Sequence, residues 1–168
     1  MGGAAVLAWT GLILRDFKGW GAGEPESAWV MILLSFVAFL SLAAAHVLLA
    51  VACQSSMRRA GGPAASIAAV SYVLAAFGAA SAIAFGLIGS VALFGALAGR
   101  TIPVWLSAIM IGASVLLFGV MLGFTGSDGQ DIGLFAFSAP FGVAWILMGL
   151  AVIRRGLPSP ATLTDAAG

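Results

Sequence analysis

Hydrophobic positions along this chain come in long unbroken blocks, not in the two-residue alternation of a strand. Four stretches carry no charged residue, at 27–53, 64–98, 103–124 and 132–153. Each exceeds the ~18 residues that mark a membrane-crossing helix. Backbone amides in hydrocarbon have no water to bond, so each stretch is predicted to be helical. A β-barrel would alternate apolar and polar residues, and none of these stretches does. The expected fold class is an all-α membrane protein, a polytopic helical bundle of four spans forming a single transmembrane domain over 1–168.

The block boundaries carry helix-terminus chemistry. Pro25 suits a first helical turn, where its missing N–H costs nothing, and Glu24 and Glu26 favour the positive end of that helix. Gly61, Gly62 and Pro63 break the chain before the second block. Thr101 is placed to cap the third helix with Pro103 just inside it, and Ser127 to Asp131 read as a turn before the fourth. Trp29 and Trp105 sit near helix starts, as interface anchors do. Pro140 is expected to kink the last span, because it removes one backbone bond. After Arg154 and Arg155, residues 157–168 read as a flexible tail rich in small residues.

Residues 1–26 read as an interfacial N-terminal segment. The apolar run 4–14 is about half of the ~20 residues needed to cross hydrocarbon. Trp9 lies inside it, and Arg15, Asp16, Lys18 and Trp20 follow. The rival reading is the remnant of a longer span. A secretory signal is not expected, because positive charge follows the apolar run instead of preceding it.

The block 64–98 is too long for one ordinary span. Thirty-five residues make a helix of about 52 Å, and tilting it into ~30 Å of hydrocarbon requires roughly 55°. A single helix projecting from the bilayer is the preferred expectation, since residues 78–81 offer no Asn, Asp or Pro for a turn. The alternative is a hairpin turning near 78–81, which raises the number of spans to five.

Charge placement does not choose between these. With four spans, Arg15, Lys18, Arg100, Arg154 and Arg155 share one side and Arg58 and Arg59 the other, and both chain ends lie together. With the hairpin, Arg58, Arg59, Arg100, Arg154 and Arg155 share a side opposite Arg15 and Lys18. Either way the C-terminus is expected in the cytoplasm.

Composition sharpens the class. Hydrophobic residues make up 62% and charged residues 8%, against about 25% charged in soluble domains. The expected solvent is therefore a lipid bilayer. A net charge of +1 leaves no basic patch for nucleic acid. One cysteine, Cys53, excludes an intramolecular disulfide and a cysteine metal cluster. Six Arg against one Lys, with abundant Ala and Gly, point to a bacterial protein of the inner (plasma) membrane.

Candidate chemistry is sparse. His46 is the one ionisable residue deep inside a block, and such residues are expensive in a bilayer. It reads either as a haem- or pigment-binding ligand or proton relay, or as a neutral imidazole hydrogen-bonded to a Ser or a backbone carbonyl of a neighbouring helix. Ser35 and Cys53 share its helix face, but Cys53 is about 10 Å further along the axis, too far to share a metal. Asp128 and Asp131 read as turn and cap residues, Gly19, Gly21 and Gly23 lack the spacing of a dinucleotide loop, and no catalytic pair or metal site emerges. No resident cofactor is expected.

Packing signals are stronger. Gly78, Ala82, Gly86 and Ser90 recur every four residues, and Gly119 and Gly123 repeat that spacing in the next block. Such rows let helix backbones approach closely. The leading functional expectation is a multi-pass membrane protein without a catalytic site, an accessory or interaction subunit or a self-associating bundle whose partners are other membrane helices. The alternatives are a small oligomeric permease or channel, and a haem- or pigment-binding subunit.

Overall fold

The computed structural model describes residues 3, 25–54, 57, 59–79, 81–123 and 130–155. The tail 157–168, the turn 124–129 and all of the N-terminal segment except Gly3 and its junction with the first helix lie outside the described residues. Among the described residues five helices follow one another: α1 Pro25–Ala52, α2 Gly61–Ala76, α3 Ala82–Leu97, α4 Val104–Gly123 and α5 Gln130–Arg155. The described residues contain no strand, only an isolated bridge between Ala98 and Ile102. Pro140 lies within α5.

The preferred single helix over 64–98 is corrected: the block is a helical hairpin. Gly78 supplies the reason, with a φ of +96° that favours glycine. The Ala79 N–H bonds back to Leu74 O and the Gly78 N–H to Ala75 O, at 3.1 and 3.0 Å. These two bonds form a Schellman motif, which satisfies helix-end carbonyls without Asn, Asp or Pro. A second glycine, Gly99 (φ +70°), ends α3, and Leu97 O accepts bonds from the N–H groups of Arg100, Thr101 and Ile102. Pro103 then precedes α4 and its carbonyl accepts from Leu106 and Ser107. Thr101, expected as the cap, instead has a side-chain hydrogen bond with Cys53.

Contacts along the bundle set the helix directions. Cys53 at the end of α1 meets Thr101, and Gly61 at the start of α2 lies beside Ala96 near the end of α3. At the opposite end Phe36 packs edge-on against Phe77 at 5.5 Å. Ala38 of α1, Leu117 of α4 and Phe141 of α5 meet there too, and His46 meets Trp145 one turn further along α5. The helices therefore alternate in direction, and α1 begins at the opposite end from where α5 finishes. An even number of spans would have put both on one side. Arg59, Arg100 and Arg154 follow from this at one end, while Glu26 and Asp131 occupy first turns at the other.

Inside and outside are both apolar. Leu42, Tyr72, Leu87, Phe94, Leu97, Leu106, Met110 and Met148 are fully buried. Trp29, Phe77 and Ile153 are each more than 70% exposed. Apolar residues surround α2 and α3 instead of forming one stripe. Two helical segments, Ile32–Ala52 and Val104–Leu122, are long and apolar enough to cross a membrane; Gly61–Ala76, Ala82–Leu97 and Ser138–Arg154 are apolar but shorter.

Candidate functional site

The polar chemistry of the bundle gathers at one level, where α1, α2, α3 and α5 meet. His46 on α1 is wholly buried. Its Nδ1 stands 2.7 Å from Leu42 O, one turn back on the same helix. Its Nε2 stands 2.9 Å from Ser90 Oγ on α3. Tyr72 of α2 brings its hydroxyl to 3.1 Å from the same Ser90 Oγ, which also lies 2.8 Å from Gly86 O. A carbonyl only accepts, so Nδ1 donates to Leu42 O. One serine thus joins three helices.

Small residues make this meeting possible. A β-carbon on Gly86 would fall 2.8 Å from the Tyr72 ring, so glycine is what lets that ring lie over α3. Gly89 approaches as closely, and against backbone: a β-carbon there would sit 2.8 Å from the backbone nitrogen of Ala68 and 2.9 Å from Ala64 O. Ala64, Ala65, Ala68 and Ala69 form the matching flat face of α2, all buried.

Aromatic rings close the site. The imidazole centroid is 5.0 Å from that of Trp145, 5.3 Å from Tyr72 and 6.3 Å from Phe94. Trp145 also packs edge-on against Phe94 and Phe141. Its indole N–H is buried and has no acceptor among the described residues. Below Tyr72 a narrow crevice runs between the helices, lined by Ser35, Phe39, Tyr72, Leu117, Ser138 and Phe141 among others.

With the geometry in view, comparison can be made with known proteins. No family model, no curated protein and no solved structure matches the chain.

The expected site residues are placed as follows. His46 is in the hydrogen-bonded arrangement, with both ring nitrogens engaged inside the protein. A haem or chlorin iron or magnesium on Nε2 would have to displace Ser90, and the space beside the ring is held by Tyr72, Phe94 and Trp145. Ser35 and Cys53 do not join His46: Ser35 lines the crevice and Cys53 lies at the Thr101 end. Among the described residues no three His, Cys, Asp or Glu side chains group to hold a metal.

The small-residue row splits. Ala82, Gly86 and Ser90 are buried on α3. Gly78 is not part of that ridge, because it is an exposed turn glycine with open space around it. Gly119 has nothing within 4 Å of an added β-carbon, so it makes no close helix contact among the described residues, and Gly123 ends α4. Gly89 and Tyr72 were missed. Gly89 falls outside the four-residue row, and Tyr72, the only tyrosine, could have been found as a polar aromatic inside an apolar block.

Proposed function

We propose that the chain is an integral protein of the bacterial plasma membrane that works by associating with other membrane helices, as an accessory subunit or a self-associating bundle, and has no catalytic site. The observation carrying this reading is the outer surface. Leu33, Leu48, Val51, Ile67, Phe85 and Ile88 are all more than half exposed or at that level, a surface that water would penalise and lipid would not. His46, Ser90 and Tyr72 are spent on one another, which supports a structural interior better than a transport path.

α4 supplies the contact face. Ala108, Gly112 and Gly119 fall on one side of it, at spacings of four and seven residues. Among the described residues an added β-carbon at Gly112 or Gly119 meets nothing within 4 Å. Small residues on an outward face allow a partner helix to approach closely. The cytoplasmic end in this reading is the one bearing Arg59, Arg100 and Arg154, so the C-terminus is inside and α1 begins outside.

The test is sedimentation of the full chain in mild detergent, with and without Gly112→Ile and Gly119→Ile. We expect an assembly larger than one chain that the double variant reduces to a monomer with unchanged helical content. A wild-type chain that sediments alone, without a stoichiometric companion, rejects the reading.

A further inference from the structure

Gly3 is buried, has helical backbone and lies against α5. A β-carbon on it would fall 2.5 Å from Gly142 O and 2.9 Å from both the nitrogen and Cγ1 of Ile146. Backbone meets backbone there, and only glycine comes so close. Phe141, Trp145 and Met148 turn into the bundle, whereas Val143, Leu147 and Leu150 are exposed. At about 100° per residue, Gly142 and Ile146 form the flank between those two faces. The N-terminal part of the chain therefore touches α5 near its middle. Residues 130 to 142 place that contact about 18 Å along the axis from the helix start.

We propose that this flank of α5 is covered by the chain's own apolar run 4–14, as a half-length helix running from Gly142 to the end of the bundle where Asp131 lies. Its length fits. Residues 4–14 make about 16 Å of helix, which matches the distance from Gly142 to the first turn of α5. The run is too short to cross hydrocarbon, and starting from the middle of α5 it has no need to.

Charge fixes the direction. Arg15, Asp16 and Lys18 then emerge beside Glu26 and Asp131, and residues 15–24 have only to reach Pro25 at that same end. In the opposite direction residues 15–24 would have to return along the whole of α5, about 39 Å. They would carry Arg15, Asp16 and Lys18 through apolar surroundings, where each charge is expensive. Contact points the same way. Gly149 follows Gly142 by seven residues and lies within about 20° of it around the helix. Among the described residues an added β-carbon at Gly149 meets nothing within 4 Å, so the close approach does not continue toward Arg154. With its flank filled from within the chain, α5 offers a partner no close approach at Gly142, and the association proposed above falls to α4.

Paired spin labels on the full chain in detergent, in a Cys53→Ser background, test this. We expect dipolar broadening between labels at Ala5→Cys and Val143→Cys, and between Ile13→Cys and Ile132→Cys. A pair at Ile13→Cys and Ile153→Cys should show none. Dilution with unlabelled chain should leave the broadening unchanged. Gly3→Leu forces a side chain against the α5 backbone, and it should abolish the Ala5–Val143 coupling with helical circular dichroism unchanged. Absence of either expected coupling, or an Ile13–Ile153 coupling in its place, overturns the proposal. So does coupling lost on dilution, which would assign the flank to a second copy, or a folded Gly3→Leu chain that keeps the coupling. Should Gly3→Leu fail to fold, the label pairs decide. None of these measurements needs a bilayer or an assembly, so a chain that couples but sediments alone rejects the proposed function and not this inference.

Discussion

Gly89 faces backbone, not a side chain, at the α2–α3 contact. A β-carbon there would meet backbone atoms of Ala68 and Ala64, which cannot swing away as a side chain could. We expect Gly89→Ala to destabilise the bundle by about 1–3 kcal/mol, as overpacking does. Gly95, on the same helix, has nothing within 4 Å. There the better helix propensity of alanine acts alone, so Gly95→Ala should be neutral or stabilising by up to about 1 kcal/mol. Unfolding of the two variants in mixed micelles measures the difference; equal effects would mean that the close approach is not made. At this scale the sequence singled out His46 and offered a serine or a neighbouring helix's carbonyl as one reading of its partners; the serine is Ser90, and the carbonyl, Leu42 O, is on its own helix. The sequence did not reveal Tyr72 or Trp145 as neighbours, since contacts between helices follow from their rotation about their axes, which local pattern leaves open.

α2 and α3 show what local pattern can and cannot decide about an element. The block 64–98 is apolar throughout, so hydrophobicity held no trace of a break. The break is conformational, and among the described residues of the turn Gly78 carries the positive φ. A turn within a helical hairpin needs one residue at positive φ and two N–H groups turned back onto the preceding helix, which Gly78 and Ala79 provide. Length was the legible sign, since 35 residues overfill a bilayer. We expect Gly78→Val, a branched residue forced to positive φ, to cost about 1–3 kcal/mol. Gly78→Asn should cost less, because asparagine tolerates that region. Thermal unfolding followed by circular dichroism separates them, and a Val variant as stable as the wild type would show that the hairpin does not depend on this glycine.

For the whole molecule, the hairpin changes the parity of the chain. Among the described residues five alternating helices run from one end of the bundle to the other and collect Arg59, Arg100 and Arg154 at their finish. The helical class was legible from composition, whereas the parity required the turn to be seen. Cysteine labelling in a Cys53→Ser background tests it in cells. We expect Ala79→Cys to react with a membrane-impermeant maleimide added outside, and Arg100→Cys to react only after permeabilisation. Reaction of both from one side would show that the hairpin does not cross.

Sixteen residues make α2 and α3 about 24 Å long each, some 6 Å short of a typical ~30 Å hydrocarbon layer. The Phe77–Ala79 corner has its amides bonded internally, so it can do without water. Seated in a bilayer as proposed, this pair of helices would make the neighbouring acyl chains shorten to meet it, while Ile32–Ala52 and Val104–Leu122 are long enough for the full thickness. A bilayer of longer-chain lipids would resist that shortening, and the protein would sort toward thinner membrane.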